Sequence, residues 1–348
     1  MDAEETPGCE RARMGRSRGP PILGPMAATD ATATLAGAAA HRALTEGAGL
    51  VDRSELGKLA LTGPQAKELL NGQVSNDVEA LEPGTGCYAT LLTNKGKMLG
   101  DLRVLDTGAE LLLLTERAAL QALFDQLRRG AIGWQAELHK RTLQQSLLSV
   151  IGPRAREVTG AAGLPAAEHA NRPAEVGGAP VRLVATDLGV DVMCAAEDAG
   201  RVRAALLEAG AVAVDEAAAE IVRVESGRPR YGIDTDATTI PQEAGLNDRA
   251  VSFTKGCYVG QETVARLHWR GKPNRHLRGL RLSAPAATGT PLRLGDREVG
   301  RLGSVAESPA LGPIALAIVR REAAVGDALA VGDGTVTAEV VELPFPTS

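Results

Sequence analysis

Aromatic side chains are scarce: three Phe, two Trp and three Tyr among 348 residues. Tyr231, Phe253 and Tyr258 all fall between Arg230 and Glu262, and Tyr88 lies in a separate candidate hairpin. Stacking on a flat heterocycle explains this clustering, and so does one aromatic core cluster. Cysteine is equally thin. Cys9, Cys87, Cys194 and Cys257 are far apart and form no C-x-x-C pair. That spacing argues against a zinc site, a self-contained iron–sulfur site and a disulfide framework, and points to a reducing cytoplasm. No apolar run reaches the roughly 18 residues that span a bilayer. Net charge is -5, so bulk attraction to nucleic acid is not expected.

The length exceeds one ordinary core, so two or three domains are expected. Residues 1–35 mix Pro, Gly, Arg and small residues without apolar periodicity and read as a disordered tail. Its arginines suit a targeting peptide, but Asp2, Glu4, Glu5 and Glu10 do not, and Met26 is an alternative start.

A repeat follows. Leu56 to Leu70 and Leu147 to Gly160 each read as a short apolar strand, Gly-Pro, then a helix. Pro64 and Pro153 suit the first helical position. Each unit is followed by an apolar strand and an amphipathic helix, with Gly130 and Gly210 where C-terminal caps belong. Two related α/β halves follow from this, over residues 36–145 and 146–272. After Pro273 short strands alternate with turns, including Gly295-Asp296 and Asp333-Gly334, and one strand is expected from Glu298 to Glu307. Residues 273–348 therefore read as a closed or nearly closed all-β domain. The fold class is α+β: a lobe pair of α/β halves plus a β-barrel-like domain.

The densest chemistry is Lys255 to Glu262, K-G-C-Y-V-G-Q-E. Gly256 and Gly260 permit sharp turns. Cys257 would sit just before a helix N-terminus, beside Lys255, and both neighbours favour thiolate over thiol. The other reading is a glycine-rich turn with an incidental cysteine.

Two carboxylates lie elsewhere. Asp215 caps a helix running to Ser226, on which Ala218, Ile221, Val222 and Glu225 share a face. A buried Glu225 needs donors, and Arg223, Arg228 and Arg230 are close by in sequence. It is either a structural ion pair or the acceptor for a ligand with two parallel N–H groups, such as a pterin or guanine edge. In the hairpin Cys87 to Leu105, Asp101 and Arg103 share a face. They either satisfy each other or leave Asp101 free to bind an N–H-bearing ligand. The five histidines show no metal spacing and read as solvated or structural.

The K-G-C-Y-V-G-Q-E segment resembles the signature of YgfZ-type folate-binding proteins. These are a branch of the superfamily containing the glycine-cleavage T-protein, a tetrahydrofolate-dependent aminomethyltransferase. Leu69 to Asp77, Thr93 to Lys97 with Asp101, Arg223-x-Glu225-x-Gly227, Tyr231 to Asp234 and Ile240 to Ala244 are similar to further segments of that superfamily. The resemblance implies a three-lobed ring with folate in a central funnel. It makes Glu225 the carboxylate that grips the pterin, with Arg223, Arg228 or Arg230 at the glutamate tail and Tyr231 and Tyr88 beside the ligand. It also implies a role in assembly or repair of iron–sulfur clusters, and so in tRNA thiolation. Cys257 would be the functional thiol or a transient cluster ligand, the partners would be iron–sulfur assembly or client proteins, and the chain would be a cytoplasmic monomer. Lys255, Gly256, Tyr258, Gly260, Gln261 and Glu262 complete the motif. The runner-up is a T-protein-type aminomethyltransferase. T-proteins carry two adjacent aspartates on the hairpin strand, where this chain has Gly100 before Asp101. A third reading is a folate-sensing adaptor without turnover.

Overall fold

The computed structural model describes residues 34–345. The tail expected over residues 1–35 therefore lies almost wholly outside the described residues. At its end the expectation fails, because Leu35 bridges Val214 and donates its amide to the Ala213 carbonyl at 2.8 Å.

The chain continues through α1 (Gly37–Glu46) and β1 (Gly49–Asp52). The first repeat unit is β2 (Gly57–Thr62), α2 (Ala66–Gln73), β3 (Gly86–Leu92), β4 (Met98–Asp106), β5 (Leu111–Thr115), α3 (Arg117–Gly130) and β6 (Glu137–Lys140). The second is β7 (Gln145–Ile151), α4 (Ala155–Val158), β8 (Asn171–Val176), β9 (Ala179–Ala185), β10 (Gly189–Ala195), α5 (Ala199–Glu208) and β11 (Val212–Ala213). One sheet runs β3-β4-β5-β2-β6 and the other β8-β9-β10-β7-β1-β11. The first four positions of each correspond, so the repeat seen in the Gly-Pro motifs is a repeat of strand order. The glycines explain why the motif recurs. Gly63 and Gly152 have φ of +106° and +120°, and a Cβ there would lie 2.4 Å from the Gln135 carbonyl and 2.5 Å from the Gly47 carbonyl. The prolines do not open the helices: α2 and α4 start at Ala66 and Ala155, two residues later.

β5 shows how the layers form. Leu111 and Leu113 face the core under α2 and α3, with Leu69, Leu70, Leu123 and Leu127. Leu112 and Leu114, on the opposite face, meet Leu147, Val184 and Met193 of the other sheet. The outer face of that second sheet is covered by α4 and α5 through Val158, Val202 and Leu206. Each fully buried leucine contributes about 2 kcal/mol of burial. The result is helices, sheet, sheet, helices, with the two inner sheet faces in contact.

Hydrogen bonding does not follow a cut at residues 145 and 146. β1 pairs with β7 and β11 of the second sheet, although it lies in the segment assigned to the first half. Conversely, residues 244–264 pack on the first half, where Ala244, Leu246, Ala250, Val251, Tyr258 and Val264 join Leu92 and Met98.

The remaining elements are α6 (Glu216–Glu225), α7 (Asn247–Ala250), α8 (Gln261–Arg270), β12 (Arg275–Leu282), β13 (Pro291–Leu294), β14 (Arg297–Arg301), β15 (Val305–Ser308), β16 (Gly312–Arg320), β17 (Ala328–Val331) and β18 (Val336–Val341). The last seven run β12-β18-β17-β13-β14-β16-β15, and a β12–β16 pairing closes them into a barrel. The single strand expected over Glu298 to Glu307 is broken at residues 302–304. There the backbone turns to Asp234, whose Oδ1 accepts from the Ser304 amide at 2.7 Å and would lie 2.4 Å from a Cβ on Gly303.

Candidate functional site

A cavity of about 210 Å³ lies between the two sheets and the segment after α6. β4 supplies Asp101 and Arg103, β3 supplies Tyr88, and the end of β5 supplies Thr115 and Glu116. Glu168, His169 and Asp187 come from the second repeat, and Arg228, Arg230 and Tyr231 from the crossing segment.

Asp101 and Arg103 do not satisfy each other. Arg103 donates to Asp191 on β10 at 2.6 Å, and Ser149 donates to the other Asp191 oxygen at 2.6 Å. Asp101 makes no ion pair among the described residues and lies beside the Tyr88 phenol. Burial pushes the Asp101 carboxyl up to about 6, against the opposing effect of the Tyr88 phenol, and the nearby Glu116 charge adds to the rise. Burial and Asp101 together push the Tyr88 phenol well above its ordinary value. Glu116 is also raised, chiefly by burial, although Arg230 opposes the shift.

Arginine–carboxylate pairs form the rest of the wall. Arg228 meets Asp187, Arg249 meets Glu168, and Arg230 reaches Glu116, Glu216 and Glu220. Arg249 also lies over the Tyr88 ring, 5.3 Å from its centroid. Arg223 is buried and bonds Glu220, Asp234, Ser304 and the Arg228 carbonyl, a knot joining α6 to the barrel.

Glu225 is elsewhere. Its carboxylate accepts from His41 of α1 at 3.0 Å and from the Ser308 hydroxyl of β15, and it is not a wall of the cavity. Its place on the apolar face of α6 turns it inward, as expected, but the donors are His41 and Ser308 rather than the arginines nearby in sequence. His41 is thus structural, as expected.

The K-G-C-Y-V-G-Q-E segment is a clamp on the first half. The Lys255 ammonium donates to the carbonyls of Asn71, Val74 and Asn76 at 2.6–3.0 Å, and burial lowers it to about 8. It therefore serves the backbone of the L-L-N-G-Q-V-S-N-D stretch rather than the thiol. Tyr258 is buried in the core cluster with its ring 5.2 Å from that ammonium. Gly260 (φ +86°) is packed on the hairpin turn, where a Cβ would lie 2.5 Å from the Thr93 carbonyl. Gly256 is different: it has no positive φ, and a Cβ there would meet nothing within 4 Å. Gln261 and Glu262 open α8, four residues after Cys257 rather than directly beyond it. Cys257 is exposed, hydrogen-bonds to no described residue and is not a wall of the cavity. Among the described residues no cluster of His, Cys, Asp and Glu could hold a metal.

Of the expected site residues, the cavity gathers Asp101, Tyr88, Tyr231, Arg223 and Arg230, and excludes Glu225 and Cys257. Glu116, Glu168, His169, Asp187 and Arg249 were not singled out from the sequence. Asp191 carried a legible signal, an acidic residue inside an otherwise apolar strand. His169 carried none.

The fold and this cavity define a two-repeat, barrel-capped protein with a cleft at the junction of the repeats. The GCVT N-terminal domain family matches residues 25–255, and the glycine cleavage T-protein C-terminal barrel domain family matches residues 275–346. An aminomethyltransferase of Saccharopolyspora erythraea is 33% identical over 88% of this chain and 89% of its own. A second, of Streptomyces coelicolor, is 31% identical over 80% of each chain. The aminomethyltransferase structure of the Bartonella henselae glycine cleavage system superposes with a TM-score of 0.78 at 24% identity over 89% of both chains. The chain belongs to the glycine-cleavage T-protein family.

Proposed function

We propose that the chain binds tetrahydrofolate in the Asp101 cavity and uses it in one-carbon transfer of the aminomethyltransferase kind. The observation that carries this is Asp101: a carboxyl buried in the cavity wall beside Tyr88, without an ion-pair partner among the described residues, and pushed by burial to about 6. The walls fit such a ligand, with the Asp101 carboxyl for ring N–H groups, tyrosine rings, and arginines whose guanidinium groups, each paired with one carboxylate or more, keep further N–H groups for an acidic tail. When bound, the folate supplies a ring nitrogen that accepts the one-carbon unit. Asp101, ionised at neutral pH, holds a ligand N–H and takes up or returns a proton at its carboxyl. Tyr88 keeps that carboxylate oriented, and burial keeps bulk water from it.

The departure from the paired-aspartate pattern has a steric basis. A Cβ on Gly100 would lie 2.4 Å from the Ala119 Cβ of α3, so a second carboxylate has no room there. The test supplies tetrahydrofolate and an aminomethylated carrier protein and measures methylene-tetrahydrofolate and ammonia. Turnover in the wild type, reduced at least ~100-fold in Asp101→Asn, is expected for loss of a general base. Binding without turnover favours the adaptor reading instead.

A second reading keeps Cys257 and iron–sulfur assembly or repair, and what favours it is an exposed thiol on a loop clamped on both sides. In a cell lacking the gene, Cys257→Ser then fails to restore iron–sulfur enzyme activity while retaining the fold. Full restoration by that variant removes the thiol from the function.

A further inference from the structure

His169 is the only non-glycine residue among those described with a positive φ, +68°. That backbone region is unfavourable for a residue with a Cβ, and such strain persists only where the surroundings enforce it. Here they do. The His169 amide donates to the Ala185 carbonyl at 2.8 Å, and the Asn171 side chain donates to the His169 carbonyl at 3.2 Å. The Asn171 amide is fixed in turn by the Gly84 carbonyl at 2.7 Å. Gly86 leaves the room required, since a Cβ there would lie 2.9 Å from that of His169.

The enforced conformation delivers an imidazole to the cavity wall. It is 4% exposed, yet neither ring nitrogen has a hydrogen-bond partner among the described residues. The nearest carboxylate oxygen, on Glu168, is 3.6 Å from Nε2 and is engaged by Arg249. A buried polar group without a partner is costly, and strain added to that cost has no structural return visible in the fold. The arginines beside it, Arg103, Arg228 and Arg249, are each already matched by Asp191, Asp187 and Glu168. His169 is a wall residue whose two buried ring nitrogens are both left unmatched among the described residues.

We propose that His169 is a ligand-positioning residue that donates one ring N–H to an acceptor oxygen of the bound molecule. Resting on the folate reading above, the contact falls on the aminobenzoyl-glutamate part, whose amide and carboxylate oxygens suit a donor among guanidinium groups. The pterin N–H groups are left to Asp101. Burial and the three arginines hold the imidazole down to about 3, so it is neutral at every working pH and presents one donor and one acceptor.

His169→Gly removes the ring and relieves the backbone, and His169→Asn keeps a residue type that tolerates this conformation. Calorimetry would compare tetrahydrofolate with 6-methyltetrahydropterin, which lacks the tail. The expected result is a tetrahydrofolate Kd raised at least tenfold in His169→Gly, with the tail-less pterin within twofold of wild type and no fall in Tm. Added imidazole restores part of the lost affinity. Tetrahydrofolate binding within twofold of wild type overturns the inference, and so does a parallel loss of both ligands, which marks a collapsed cavity. A wild-type protein that binds neither ligand removes the folate reading itself, and this inference with it.

Discussion

Asp101 is held in a form that costs stability. Its folded value of about 6 lies above the 3.8 of a free carboxyl, so the folded state binds the proton more tightly than the unfolded chain. The penalty is absent well below pH 4, grows as pH rises through that range, and is complete above about 6. It corresponds to about 3 kcal/mol at neutral pH. Asp101→Asn should therefore raise Tm at pH 7.5 and leave it nearly unchanged at pH 4, while turnover falls. Equal Tm values at both pH values would remove the buried-carboxylate account. Tyr88 pulls the Asp101 value downward, so Tyr88→Phe should move the acid limb of the pH–rate profile to higher pH. A limb that stays in place or moves lower contradicts the assignment.

Within the K-G-C-Y-V-G-Q-E segment, structure and reactivity are carried by different residues. Lys255→Met strips three part-buried carbonyls of their shared donor and should cost about 2–4 kcal/mol, read by urea unfolding. Gly260→Ala combines a disallowed φ with a 2.5 Å approach to the Thr93 carbonyl, and should cost at least ~2 kcal/mol. Cys257→Ser changes an exposed side chain and should stay within about 0.5 kcal/mol of wild type. If Cys257→Ser is the most destabilising of the three, the clamp reading is wrong.

These elements also show what the sequence could and could not reveal. The repeat was legible because Gly63-Pro64 and Gly152-Pro153 answer the same backbone crowding in both halves. The barrel was legible from turn chemistry at Gly295-Asp296 and Asp333-Gly334. Strand exchange was not: nothing in β1 records that it pairs with β7, because a short apolar strand fits either sheet. Asp101 could be read from its place on the hairpin. The inward face of Glu225 is legible from helical spacing but its partners are not, since its donors lie 184 and 83 residues away. His169 was invisible because its signal is a backbone angle.

In the molecule as a whole, α6 is the joint. Glu225 ties it to α1 and β15, and Arg223 ties it to Asp234 and Ser304. Glu225→Ala should thus loosen the junction with the barrel, costing about 2–4 kcal/mol by leaving a buried histidine and hydroxyl unpaired. It should do so without emptying the ligand site. The cavity, by contrast, depends on both sheets at once, because the Arg103–Asp191 pair links β4 to β10 across their junction.

The most direct test is calorimetric titration of tetrahydrofolate into wild type, Asp101→Ala and Glu225→Ala. The account predicts binding to the wild type, loss in Asp101→Ala, and affinity within about twofold of wild type in Glu225→Ala, each ~0.4 kcal/mol per twofold. Silence in the wild type, or loss in Glu225→Ala with retention in Asp101→Ala, would contradict it.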